Sequence, residues 1–113
     1  MKFGFSTFFF IQKSINEVID DIISSGVRTI ELSLETPHVQ KMDKDFVEQM
    51  AALAGDGLEF SIHAPFFEVN LGSHQPEIRQ FSRNRVKMAI DMAYAIGATP
   101  FVLHPGYTLS IIH

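Results

Sequence analysis

The chain reads as an α/β protein, a β-α-β-α-β-α-β succession around a parallel sheet. Three observations predict it. Short apolar runs rich in β-branched residues alternate with longer amphipathic stretches of helical period. The helical stretches open on a capping residue or proline and stop at glycine. Two of the short runs end in a histidine followed at once or one residue later by proline, Ser61-Ile62-His63-Ala64-Pro65 and Val102-Leu103-His104-Pro105-Gly106. Strands joined through helices must run parallel, because a helical crossover returns the chain to the same end of the sheet.

Taken in order, residues 3–6 are the first strand. Ser14 opens a helix, and Glu17 completes a capping box with it. Ile15, Val18, Ile19, Ile22 and Ile23 give that helix one apolar stripe, and Gly26 stops it. Residues 28–34 form the second strand. Asp43 caps a second helix that turns Phe46, Val47, Met50, Leu53 and Ala54 inward and closes at Gly55 and Gly57. Residues 58–63 form the third strand, and residues 64–74 a loop of aromatics and turn formers. The longest helix covers residues 76–96, with Ile78, Phe81, Val86, Ile90 and Ala93 expected on its inner face and Gly97 at its end. Residues 100–104 form the fourth strand. No linker or low-complexity stretch divides residues 1–113, which read as one domain.

Composition narrows the function classes. Nine Lys and Arg against thirteen Asp and Glu give a net charge of −4, without the basic footprint of a nucleic-acid binder. The absence of cysteine excludes disulfides, thiolate metal sites and cysteine nucleophiles, and fits a cytoplasmic protein. The apolar run at residues 8–11 is too short to span a membrane. No Gly-rich phosphate loop, G-x-S-x-G or helical zinc-protease histidine pair is present.

Chemistry concentrates at the strand ends. Proline removes a ladder donor and restricts the residue before it, so both histidine phrases mark where strands stop. In parallel α/β folds the carboxyl ends of strands gather on the working face. His63 and His104 are therefore metal-ligand or acid–base candidates, the alternative being ordinary polar residues where strands meet solvent. Glu31 lies inside the second strand, on one face with Thr29 and Ser33 and opposite Ile30, Leu32 and Leu34. It is a candidate catalytic carboxylate; otherwise it pairs with Arg28 or a histidine. In the loop after the third strand, Phe66, Glu68 and Asn70 are candidate substrate contacts, although Phe66 and Phe67 also suit packing on the sheet. Glu35, His38 and His74 read as surface. Arg79, Arg83 and Lys87 recur every fourth residue as a solvated helix face or a phosphate-contacting stripe.

At the two histidine phrases the chain resembles the xylose isomerase-like (βα)8 barrel superfamily, in the branch of sugar phosphate isomerases/epimerases and endonuclease IV-like enzymes (AP endonuclease family 2). The likeness is carried by Gly26 through Leu32, Ser61 through Phe66, Asn70-Leu71-Gly72, the helix from Arg85 to Gly97-Ala98, and Leu103-His104-Pro105-Gly106. It implies an active site at the strand ends holding one to three divalent metals, zinc or manganese before other divalent ions, with His63 and His104 as ligands, Asn70 near the site and Glu31 at a carboxylate position. It implies a metal-dependent isomerase or epimerase on a small sugar or sugar phosphate. The alternatives are an apurinic-site DNA endonuclease, which the charge disfavours, and an inactive fragment or pairing module. A whole (βα)8 barrel takes about 250 residues, so the four strands here amount to its first half. The expectation is a truncated or half barrel that a homodimer would complete, with the ligands of strands five to eight missing.

Overall fold

A computed structural model describes residues 2–107. The four strands are β1 (Phe5–Ser6), β2 (Thr29–Ser33), β3 (Glu59–His63) and β4 (Phe101–Val102). They pair parallel in the sheet order β1-β2-β3-β4. Three helices connect them: α1 (Ile15–Ser24), α2 (Lys44–Gly55) and α3 (Pro76–Ile96). A 3-10 turn, Thr7–Phe10, precedes α1. The predicted succession and parallel sense are observed, with the outer strands shorter than expected.

Local signals account for the boundaries. The Ser14 side chain accepts from the Glu17 amide while the Glu17 carboxylate accepts from the Ser14 amide, the reciprocal capping box. Asp43 caps α2 through the Phe46 amide. Pro76 starts α3 where an unpaired N–H would otherwise stand, and Gly97 ends it at φ 66°, in the left-handed region.

The sheet has two unlike faces. Ile30 and Leu32 of β2, Phe60 and Ile62 of β3, and the flanking Leu34, Leu58 and Ala64 are buried against Ile15, Val18, Ile19 and Ile22 of α1, Phe46 and Met50 of α2, and Ala89, Met92, Ala93 and Ile96 of α3. Burying each large aliphatic side chain here contributes about 1.5–3 kcal/mol. The opposite face is polar. Register sets Ser6, Glu31 and Ser61 in one row, and Ser33, His63 and Val102 in the next.

The inner face of α3 differs from the predicted one. Ile78, Phe81 and Ile90 are 41%, 49% and 49% exposed, while Ser82, Val86, Ala89, Met92, Ala93 and Ile96 are buried. Val86 and Ala93 lie where the periodicity puts them. The stripe that packs is built partly of small residues, Ser82 and Ala89, which let the helix lie close and carry little hydrophobic signal of their own.

Candidate functional site

His63 closes β3 and is half-buried. Its Nδ1 lies 3.2 Å from the Ala64 carbonyl oxygen. A carbonyl only accepts, so that nitrogen carries the proton and donates, leaving the Nε2 lone pair outward. His104, exposed and two residues beyond β4, brings its own Nε2 to 3.1 Å from that of His63. Two ring nitrogens at this distance either share an N–H···N bond or turn both lone pairs to one cation. Metal–nitrogen bonds of about 2.0–2.1 Å in tetrahedral geometry set neighbouring ligand nitrogens roughly 3.3 Å apart, so the pair fits one divalent ion as two of its ligands. Among the described residues no group of three or more His, Cys, Asp or Glu joins them.

Phe66 holds both imidazoles. Its ring stacks on His104 at 4.6 Å between centroids and 17° between planes. It meets the edge of His63 at 5.2 Å. Phe8 and Phe67 lie against Phe66 in turn. Phe66 thus packs on the two histidines at the strand ends.

Asn70 locks the two loops together. Its Oδ1 accepts from the amides of Gly72 and Tyr107, both at 3.0 Å, and its own amide donates to Ser82 Oγ at 2.8 Å. The Leu71 amide donates to the Pro105 carbonyl at 3.2 Å. Gly106 is required at this crossing. Its φ is 92°, and a Cβ there would stand 2.2 Å from Asn70 Oδ1. The histidine-proline-glycine phrase, which begins two residues beyond the end of β4, thus includes a close approach that only glycine allows.

Phe66, Glu68, Asn70, Ile78, His104 and Tyr107 line one cavity of about 580 Å³, in the size range of small-molecule sites. Glu68, exposed, sits at φ 59°, the left-handed region that a non-glycine residue occupies when its surroundings demand it. Four of the six candidate residues therefore share one cavity, and His63 adjoins it through His104. Glu31 does not. It is half-buried one row back, about 7 Å along the strand at ~3.3 Å per residue, and its Oε1 accepts from Ser6 Oγ at 2.7 Å. It pairs with neither Arg28, which donates to the Asp56 carbonyl, nor a histidine.

Two residues that read as surface from the sequence are buried. Glu35 is 2% exposed, and its carboxylate accepts from the Phe66 and Phe67 amides. His38 is also 2% exposed, its Nδ1 donating to the Lys13 carbonyl at 2.7 Å. Partners distant in sequence meet the Glu35 carboxylate and His38 Nδ1, while His38 Nε2 is buried without a hydrogen-bond partner among the described residues, and no local pattern announces either. His74 is exposed as expected. Of the helical cations, Arg79 donates to the carbonyls of Ser73 and His74, Lys87 pairs with Asp91, and Arg83 is exposed.

A parallel sheet with helices on one face and facing imidazoles at its carboxyl ends defines the front portion of a (βα)8 barrel. A profile of the xylose isomerase-like TIM barrel family matches residues 19–112, and the chain belongs to that family. Among solved structures, a D-tagatose 3-epimerase-like protein aligns with TM-score 0.82 at 24% identity, covering 98% of this chain and 40% of that one. The TTHB071 protein of Thermus thermophilus, in crystals soaked with zinc chloride, aligns at 0.69 and 21%, over 98% of this chain and 41% of that one. Endonuclease IV from the same organism aligns at 0.65 and 24%, over 94% and 40%. The fold is the N-terminal half of a TIM barrel. Curated relatives include the uncharacterized proteins MJ1614 and MJ1311 of Methanocaldococcus jannaschii. They are 28% and 27% identical over 95% of this chain, which spans 41% and 36% of their lengths. No helix among the described residues is long and apolar enough to cross a membrane.

Proposed function

We propose that this chain supplies the front half of a metal-dependent sugar or sugar-phosphate isomerase or epimerase, with His63 and His104 as two ligands of a divalent zinc or manganese ion. The carrying observation is the pair of facing Nε2 atoms at 3.1 Å, one of them oriented by an Nδ1–H···O=C bond to Ala64. Metal-binding histidines commonly fix their second nitrogen in this way. The ion, when bound, polarises a substrate carbonyl or hydroxyl. Phe66 keeps the imidazoles in place and offers an apolar wall. Glu68 and the Nδ2 of Asn70 are hydrogen-bonding groups for sugar hydroxyls at the cavity. Glu31, with Ser6 on its carboxylate, is the group that orients a hydroxyl or moves a proton from the row beneath.

The remaining ligands come from outside the described residues, either from further barrel strands or from a second copy in a homodimer. The same two imidazoles would also serve a DNA endonuclease, but the net charge of −4 favours a small substrate over a phosphate backbone. On this reading the protein is placed in the cytoplasm, in keeping with a sequence that has no cysteine.

The test is metal content with native mass on the purified chain incubated with zinc or manganese and desalted. About one ion per chain or per dimer, lost in both His63→Ala and His104→Ala, supports the site. A folded wild-type chain that retains no ion overturns it. Turnover of ketose or aldose phosphates against cleavage of apurinic-site DNA then separates the two chemistries.

A further inference from the structure

We propose that Glu35 is a positioning residue for the histidine pair, acting through the main chain of Phe66. Glu35 follows β2 and lies outside the cavity that holds the substrate candidates. It is nonetheless among the most buried side chains of the protein. A buried carboxylate is costly unless it is hydrogen-bonded or paired, and among the described residues no cation stands within ion-pair distance of it. Its partners are two consecutive amides, Phe66 and Phe67, the first N–H groups after Pro65, which has none. These amides open a tight turn closed by the Val69 amide on the Phe66 carbonyl, with Glu68 at positive φ. Without the carboxylate the turn's first two donors would lose their protein acceptor.

The turn carries the ring that touches both imidazoles. Phe66 stacks on His104 and abuts His63, so where its main chain sits decides where its ring sits. An apolar residue at position 35 would fill the space but leave two N–H groups unmet and the turn free to shift. Glu35 therefore couples the end of β2 to the geometry at the ends of β3 and β4, with its carboxylate hydrogen-bonded to the Phe66 and Phe67 amides and not, among the described residues, to either histidine.

The inference rests on the reading of His63 and His104 as the working pair, and its test has a readout that needs no metal. In the metal-free full chain, proton NMR reports the His104 ring signals, which the stacked Phe66 ring shifts upfield; Phe66→Leu sets the value without stacking. Glu35→Ala should move the His104 signals to the Phe66→Leu value while core methyl signals persist. Glu35→Gln, which keeps an acceptor oxygen, should stay near wild type. Zinc chloride titration should then show affinity falling roughly 10–100-fold in Glu35→Ala, the usual loss when the support of a ligand is removed, and largely kept in Glu35→Gln. If Glu35→Ala does not fold, Glu35→Asp, whose carboxylate is drawn back by one methylene, carries the same expectation. His104 signals unchanged in a folded Glu35→Ala or Glu35→Asp overturn the proposal. A wild-type chain that binds no zinc while its His104 signals still respond to Glu35 overturns the metal reading alone.

Discussion

The two faces of the sheet are built to opposite rules. On the helix side, Ile30, Leu32 and Ile62 are fully buried within an apolar cluster. On the other side the same strands present Thr29, Glu31 and Ser33 beside Glu59, Ser61 and His63. The interior of a (βα)8 barrel is commonly filled by bulky branched side chains in layers. Here the corresponding rows are hydroxyls, carboxylates and an imidazole, and the Ser33 hydroxyl is buried without a partner among the described residues. One face holds the fold together, and the other is polar. Substitutions should divide the same way.

The largest effect belongs to the dry face. Leu32→Ala or Ile62→Ala should destabilise by about 2–5 kcal/mol, because a fully packed side chain leaves a cavity that the sheet cannot collapse. Denaturant unfolding would measure it. A loss below about 1 kcal/mol would mean that the helix layer is loosely packed and that the contrast between the faces is overstated.

Next is the crossing behind His104. Gly106→Ala places a Cβ 2.2 Å from Asn70 Oδ1 in a left-handed backbone, at a cost of about 1–3 kcal/mol. The strain falls on the loop that carries His104, so metal retention should suffer in a protein whose core is intact. Denaturant melts paired with metal analysis would read both. Unchanged metal retention would uncouple the glycine from the site.

The histidines come third on the stability scale and first on the functional one. His63→Ala and His104→Ala should change unfolding free energy by less than about 1 kcal/mol, as for other half-buried or exposed polar positions, while metal is lost. Unfolding of either variant at constant metal content would return both residues to an ordinary packing role.

The difference between the faces also explains what is legible in the sequence. His63 and His104 can be found because proline marks the end of a strand locally, and parallel strands gather their ends. Alternation alone places Glu31 on the polar face, but its partner Ser6 lies on another strand and no periodicity names it. Glu35 and His38 read as surface because charge and position in a loop say so. Their burial depends on amides and a carbonyl that meet them only after folding. Asn70 stands out as a loop residue near the site, yet its side-chain carbonyl holds two backbone donors. Such long-range hydrogen bonds leave no mark on local composition.

Helix α3 shows the same limit in apolar form, and it supports the smallest prediction. Apolar residues lie all around this helix, so periodicity selects a stripe containing Ile78, Phe81 and Ile90, whereas the packed stripe runs through Ser82, Val86, Ala89, Ala93 and Ile96. Ile90→Ser should therefore change stability by no more than about 0.5 kcal/mol, despite removing a large aliphatic group from the middle of the longest helix. Its neighbour supplies the contrast. Ala89→Leu inserts three carbons where the helix meets the core and should destabilise by about 1–3 kcal/mol through overpacking. Side-by-side denaturant melts decide the matter. The reverse ranking, with the Ile90 substitution the more damaging, would mean that α3 is rotated about its axis so that Ile90 faces the core. Ser82 would then turn away from the Asn70 amide, and the loop that frames the cavity would lose one of its anchors.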